Sequence, residues 1–428
     1  MSLSLKPGFS FGGVLQKLYP EENLTRQEII LENSDEYWMA QALSKSMENG
    51  CAANPNPSVG CVVVLNNKII SSGCTERWGG KHAERVAFES LKVGDLEGTT
   101  VYVTLEPCTH VGKQPPCVEL FRNRGISKVV IGSEDPNPIV SGNGIQQLKE
   151  MGIECKVGVL KTEVQAWLSP FFIQQRNHRP LIALKWAQSL DGCFADDHDG
   201  WQWISGIHSR KYTHWLRQKY DAILIGVGTL LNDFPSLDVR EIQNQYKRDP
   251  LKIIYDPFGK IFQCTEQEQA ILTEKTFKLG TKQIILIGTQ VLLDEKEKNN
   301  KWFQFLKNNE NFILQKINDN SENKMTNIIV ESLKCKEIDE FLGRPLQSIL
   351  IEGGPRLLSL FLQEKNYDVL HVFIAPFFLG GEKNKLFSKK QRALIPYIFR
   401  DVSKVERMKI VVQERLGNDI LLEMVQEN

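Results

Sequence analysis

The sequence predicts two α/β domains joined near Arg179. Three observations carry this. Strand-like runs of Val, Ile and Leu alternate with helical segments from about Asp35, the pattern of layered α/β units. The alternation closes near residue 160, passes through a helical bridge and begins again at "LIALKWAQSLDG". The length, 428 residues, suits two or three domains of ordinary size. The expected boundaries are an extension over residues 1–34, a first domain over 35–178 and a second over 179–428.

In the first half, "DEYWMAQALSKSMENG" predicts a helix closed by Gly50 just past its end. "SVGCVVVL" and "KIISSG" predict two strands joined by the turn Asn66-Asn67. There follow a helix from His82, a strand "TTVYVTL", a helix from about Pro116, a strand "KVVIGS", a helix "GIQQLKEMG" and a strand "IECKVGVL". "KTEVQAWLSPFFIQQRNHRP" reads as one bridging helix ending at Pro180. The second half runs on through "DAILIGVGTLL", "PLKIIYD", "KQIILIG", "TNIIVES", "QSILIEGG" and "VLHVFIAPFFLG". It closes with a hairpin, "MKIVVQERLGNDILLEMV", turning at Gly417-Asn418-Asp419. Residues 294–324, rich in Lys, Asn and Glu, read as solvated surface with a short helix around Trp302.

Composition narrows the class. With 41% hydrophobic and 24% charged residues, the chain can bury full cores. Lys+Arg and Asp+Glu balance at 52 each, so no global field points to nucleic acid or an anionic membrane. Nine cysteines without short, even spacings predict reduced thiols and a cytoplasmic location. No apolar run approaches a membrane span, and residues 1–34 lack the character of a targeting segment.

Two stretches carry chemistry. "GGKHAERVAF" places His82 and Glu84 two residues apart at the start of a helix, and "LEPCTHVGKQPPC" supplies Cys108 and Cys117. A catalytic zinc takes three protein ligands and keeps its fourth position for water, whose pKa it lowers to about 7. His82, Cys108 and Cys117 are the three candidates, and Glu84 is placed to carry the water's proton. Cys108 follows Pro107 at a strand end, where a helix N-terminus is expected to stabilise its thiolate. This is the H-x-E…P-C pattern of zinc deaminases acting on nucleobase-like rings. A structural zinc site would need a fourth ligand, for which Cys74 and His110 are the only nearby candidates.

Eight residues, "THVGKQPP", separate the two cysteines, where most such deaminases have two. With "NPNPSVGCVVV", "DPNPIVSGNGIQQLKEMGIECKVGVL", "LKWAQSLDG", "WQWISG", "WLRQKYDAILIGVGTLLNDFPSLDVR" and "ILIEGGPRLLSLFL", the chain resembles the bifunctional riboflavin-biosynthesis deaminase/reductase family. The likeness runs from about Asp35 nearly to the C-terminus. It implies a cytidine-deaminase-like three-layer α/β/α domain followed by a dihydrofolate-reductase-like α/β domain. The first would remove the 2-amino group of a diaminopyrimidinone carrying a ribosylamino 5′-phosphate. The second would use NADPH to reduce the ribosyl group to a ribityl chain. By the resemblance, His82, Cys108 and Cys117 bind Zn2+, Glu84 shuttles protons, and Asn56, His110 and Lys113 contact the deaminase substrate. Ala187, Trp203, Thr229 and Asp233 would lie along NADPH. Gly354, Pro355, Arg356, Leu357, Leu358, Ser359 and Leu360 would cradle a cofactor phosphate through backbone N–H groups. Arg217, Leu237, Arg240 and Glu352 would contact the reductase substrate. The expected partners are a small pyrimidine ribotide and further copies of the chain, with neither nucleic acid nor membrane.

Three positions depart from the family pattern. Thr75 stands where a histidine is usual, leaving Lys81 or Arg77 to replace its contact. Trp201 replaces a small hydroxyl residue, and Pro257 replaces a Ser or Thr facing the cofactor. The last two leave a second reading open, a deaminase whose second domain is a scaffold. A third reading, an RNA-base deaminase, would need a basic stripe or stacking aromatics, and the even charge counts against it.

Overall fold

The computed structural model describes residues 32–112, 114–137, 141–193, 203–240, 248–278, 280–288, 299–317, 324–379 and 407–426. Its contacts separate two compact units, one ending at His178 and the other starting at Arg179.

The first unit opens with helix α1 (Asp35–Met47), whose N-terminus is capped by Ser34: its hydroxyl oxygen accepts the Tyr37 N–H at 3.1 Å. The helix stops at Met47, and Gly50 takes its left-handed turn (φ 58°) two residues beyond the Glu48 cap. Strands β1 (Gly60–Leu65) and β2 (Lys68–Cys74) form a hairpin. Asn66 and Asn67 both have positive φ, 50° and 58°, as a two-residue turn of matching twist demands. β3 (Thr100–Leu105), β4 (Lys128–Ser133) and β5 (Glu154–Val157) complete a sheet of order β2-β1-β3-β4-β5. β1 is antiparallel to both neighbours, while β3, β4 and β5 run parallel.

The remaining helices of this unit are α2 (Ala83–Glu89), α3 (Asn143–Glu150), α4 (Lys161–Trp167) and α5 (Ser169–Asn177). Two expectations change here. The helix expected from Pro116 is a single 3₁₀ turn, Val118–Phe121, because the chain becomes extended again at Arg122. The bridge is two helices, because Pro170 has no N–H with which to continue the ladder. The Ser169 hydroxyl donates to the Ala166 carbonyl at 2.9 Å across the break.

Among its described residues the second unit has nine strands: β6 (Leu181–Ser189), β7 (Ala222–Gly226), β8 (Leu251–Asp256), β9 (Gln283–Gly288), β10 (Phe312–Ile317), β11 (Ser348–Ile351), β12 (Val369–Ala375), β13 (Met408–Leu416) and β14 (Asp419–Gln426). Their order is β10-β9-β8-β7-β11-β6-β12-β14-β13. The first seven in that order are parallel, and the β13–β14 hairpin adds to the β12 edge antiparallel. Among the described residues its helices are α6 (Ile207–Lys219), α7 (Val227–Asp233), α8 (Glu266–Ile271), α9 (Lys301–Asn308), α10 (Met325–Ser332), α11 (Lys336–Leu342) and α12 (Pro355–Gln363).

The runs "AILIG" and "IILIG" are apolar at every position because both faces of the sheet are covered. Ala222, Leu224, Ile284 and Leu286 enter one core, while Ile223, Ile225, Ile285 and Ile287 enter another. Two segments differ from the expected pattern. "TNIIVES" is helix α10, not a strand: Glu364 accepts the N–H groups of Met325 and Thr326 at 3.2 and 2.8 Å, capping a helix despite the β-branched residues. Strand β10 lies within the segment read as solvated surface, where Phe312 and Ile317 are buried at its two ends. Among the described residues, no helix is long and apolar enough to cross a membrane.

Candidate metal centre and strand-end site

β3 runs directly into Glu106, Pro107 and Cys108, while His82 is the residue that begins α2. The loop after Cys108 returns Cys117 to the same point. Nδ1 of His82 lies 3.6 Å from Cys108 Sγ and 3.3 Å from Cys117 Sγ. The three donor atoms all lie within 4.8 Å of one another. A tetrahedral zinc with ordinary Zn–S and Zn–N bonds has donor–donor edges of about 3.5 Å, so this donor set fits the ion. Among the described residues no fourth ligand joins the cluster, the arrangement that leaves a position for water.

The charge is arranged for such an ion. Between the thiols, the negative charge rests on Cys108, whose pKa falls to about 4 through the hydrogen bonds of Cys117 and His82, against burial. The hydrogen bond with Cys108 and burial push the Cys117 thiol up, so a bound cation would be what draws off its proton. No helix starts at Cys108; the Cys117 N–H, 3.3 Å from its sulfur, serves the thiolate instead. Glu84 is 4% exposed, and burial pushes its carboxyl up to about 7, with the Cys108 charge adding to the effect. A carboxyl near neutrality is suited to taking and returning a proton.

His82, Cys108 and Glu84 open onto a cavity of about 380 Å³ that Asn56, His110, Trp78 and Asp135 also line. Thr75 lines it too, but its hydroxyl accepts the Val59 N–H at 3.0 Å, so it supports the wall. Lys81 pairs with Glu89 at 2.5 Å. Lys113 lies outside the described residues.

In the second unit, β7 and β11 are neighbours in register, and the turns that leave them meet. The Thr229 hydroxyl, in the first turn of α7, accepts the Gly354 N–H at 2.9 Å at the cap of α12. Glu352, just past β11, takes both Nε and Nη2 of Arg217 at 2.8 and 2.9 Å. Arg217 Nη1 also reaches the Asp238 carbonyl at 3.1 Å, tying the pair to the loop that carries Leu237 and Arg240. Leu237 is buried with φ 50°, a left-handed conformation rare for a branched side chain. Lys278 at 2.8 Å and Arg240 at 3.1 Å pair with the Asp238 carboxylate. Trp203 is not a core residue: it is 57% exposed, with the Arg210 guanidinium 5.1 Å from its ring. Ala187 sits half-buried on β6 opposite Phe373, and Asp233 is exposed at the end of α7. Trp201 lies outside the described residues.

The backbone of α12 narrows one expectation. Leu358 already gives its N–H to the Gly354 carbonyl at 3.4 Å, and Pro355 has none. Leu358, Ser359 and Leu360 lie beyond the open first turn of the helix, so Arg356 and Leu357 are left to offer N–H groups to an anion.

The family model for the cytidine and deoxycytidylate deaminase zinc-binding region matches residues 32–133, and that for the RibD C-terminal domain matches residues 180–422. The riboflavin biosynthesis protein RibD of Aquifex aeolicus is 36% identical, over 92% of this chain and 99% of its own. The chain belongs to the RibD family. The Escherichia coli RibD is 31% identical over 82% of this chain and 90% of its own. Among solved structures, Acinetobacter baumannii RibD aligns with TM-score 0.69 at 28% identity, covering 92% of this chain and 99% of its own. A Thermotoga maritima diaminohydroxyphosphoribosylaminopyrimidine deaminase/5-amino-6-(5-phosphoribosylamino)uracil reductase aligns with TM-score 0.68 at 32% identity and the same coverages.

As a member of that family, this chain is a bifunctional enzyme of riboflavin biosynthesis, with a cytidine-deaminase-like first unit and a reductase as its second. Its cofactors are Zn2+ and NADPH. Two side chains near the candidate sites escaped sequence reasoning. Lys185 on β6 is held below its usual pKa by burial, although the Glu352 charge opposes the shift. Burial likewise raises Asp135, on the cavity wall, to about 6. Neither sits in a spacing that marks it; only the folded arrangement brings it to a site.

Proposed function

We propose that the first unit hydrolyses the 2-amino group of a diaminopyrimidinone ribotide at His82, Glu84, Cys108 and Cys117, and that the second reduces the product's ribosyl group with NADPH. The observation that carries this is the cluster of three zinc donors, two of which, His82 and Cys108, open with the buried Glu84 carboxyl onto one cavity. Zinc, when bound, supplies an activated water at neutral pH. Glu84 would take that water's first proton on its carboxylate and pass it to the ring nitrogen, then take the second and pass it to the amino group, which leaves as ammonia. Asn56 can both donate to and accept from a ring edge, and His110 lies on the same wall.

In the second unit NADPH, when bound, supplies the hydride. Thr229 and the first turn of α12 hold the cofactor side, while Arg217, Glu352, Leu237 and Arg240 contact the ribotide. Lys185, beside the Arg217–Glu352 pair, is placed to give a proton to the opening sugar oxygen. Nine free cysteines favour a reducing, cytoplasmic compartment.

The test is the mass of the product made from the diaminopyrimidinone ribotide, with and without NADPH. A deaminated product that becomes its two-electron-reduced form when NADPH is added supports both halves. Deamination that ignores NADPH would sink the reductase assignment and leave Pro257 and Trp201 as marks of a scaffold.

A further inference from the structure

Glu106 follows the end of β3, two residues before Cys108, and lines the cavity, and no motif reading gave it a task. It is 3% exposed, and its carboxylate accepts four main-chain N–H groups. Oε2 takes those of Asp135 and Gly142 at 3.2 and 3.0 Å, and Oε1 those of Gly144 and Ile145 at 2.9 and 3.2 Å. Asp135, which is bonded in this way, and Asn137 both line the cavity, as do His82, Cys108 and Glu106 itself. The close fit is also built from the other side. A Cβ on Gly144 would lie 2.3 Å from the Pro107 carbonyl oxygen and 3.2 Å from Glu106 Oε1.

We propose that Glu106 is a positioning residue for substrate: it fixes the Asp135–Asn137 wall at a set distance from the metal donors, two residues away from Cys108 in the chain. A carboxylate is needed because all four partners are donors. A glutamine would turn an NH2 group towards one pair of N–H groups and leave that end of the segment without an acceptor. The wall would then lose its register with the metal, weakening ground-state binding while the proton-transfer machinery stays in place.

This rests on reading the cavity as the deamination site. That reading is checked separately by Glu84→Gln, which must abolish deamination if it holds. Glu106→Gln is then assayed on the diaminopyrimidinone ribotide together with bound zinc per chain. The expected result is full zinc, a rise in KM of about tenfold or more, and kcat within about threefold of the parent. Gly144→Ala, which pushes the same contact apart and leaves the carboxylate intact, should give the same KM-selective defect. Unchanged KM in either folded variant, or losses in kcat that follow loss of zinc, would overturn the proposal. Failure of both variants to fold would overturn it too, making Glu106 a folding residue.

Discussion

Arg217 and Glu352 clasp one another at two points, Nε to Oε1 at 2.8 Å and Nη2 to Oε2 at 2.9 Å, with side chains only 12% and 10% exposed. Burial works to raise the Glu352 carboxyl, but the charge and hydrogen bonds of Arg217, with the Lys185 and His214 charges, together lower it. Removing one partner of a buried pair leaves the other charge uncompensated, at a cost of about 3–5 kcal/mol. Glu352→Gln is therefore expected to lower the unfolding midpoint of the second unit and to stop NADPH consumption, while deamination continues. Arg217→Lys keeps the charge but not the fork, and should cut NADPH turnover by about tenfold or more. Calorimetry and NADPH absorbance on the two variants provide the check. Turnover at the parental rate in Glu352→Gln would remove the pair from the reaction.

The zinc donors make a complementary prediction. Cys117→Ser replaces a thiolate with a poor zinc ligand and should lower bound zinc well below one per chain, with deamination falling in parallel. A strong chelator should do the same to the parent, reversibly on adding Zn2+. Reduction of the already deaminated ribotide should survive both treatments, since its side chains belong to the other unit. Full deamination by zinc-depleted protein would contradict the assignment.

A third expectation is purely steric. β1 crosses α1 so closely that a Cβ on Gly60 would fall 1.9 Å from the Ala42 carbonyl oxygen and 2.7 Å from the Ser46 nitrogen. Both neighbours are helix backbone and cannot swing away. Gly60→Ala should destabilise the first unit by about 3 kcal/mol, in the range of overpacked sites. Deamination should be lost well below the temperature at which NADPH reduction fails. Equal thermal losses in the two activities would show that the strand and helix can part.

Local chemistry explains what was legible in the sequence. The hairpin at Asn66-Asn67 could be read because only residues tolerant of positive φ make that turn, and both have it. The metal donors could be read because zinc admits few residue types, and His82, Cys108 and Cys117 do converge. The helix α10 could not, because "TNIIVES" has the side chains of a strand and its cap comes from Glu364, distant in sequence. Strand β10 was masked by its polar neighbours, since an edge strand needs only one apolar face. Glu106 and Lys185 stayed hidden for another reason: each acts through groups far along the chain, which no spacing reveals.

Acid should expose a buried cluster in the second unit. His371 on β12 and Glu423 on β14 are 0% and 2% exposed, with Nδ1 and Oε2 3.3 Å apart, and Tyr220 Oη lies 2.7 Å from His371 Nε2. Lys219 and Tyr212 face the same cluster. Burial works to raise the Glu423 carboxyl, but the Lys219 charge and His371 hold it down at about 2. An unfolded glutamate titrates near ~4.3. The folded state therefore gains from the charged carboxylate above that pH, and loses the gain as pH falls towards 2. Burial also lowers His371, so the unfolded chain takes up a proton below about pH 6.5 that the folded one refuses, which acts in the same direction. The unit should weaken steadily below about pH 6.5, with Glu423 contributing about 3 kcal/mol of the loss between roughly pH 5 and 2. Denaturant unfolding across that range is the measurement. Glu423→Gln should be less stable at neutral pH yet show a flatter acid slope. A slope as steep as the parent's would place the acid sensitivity in other carboxylates.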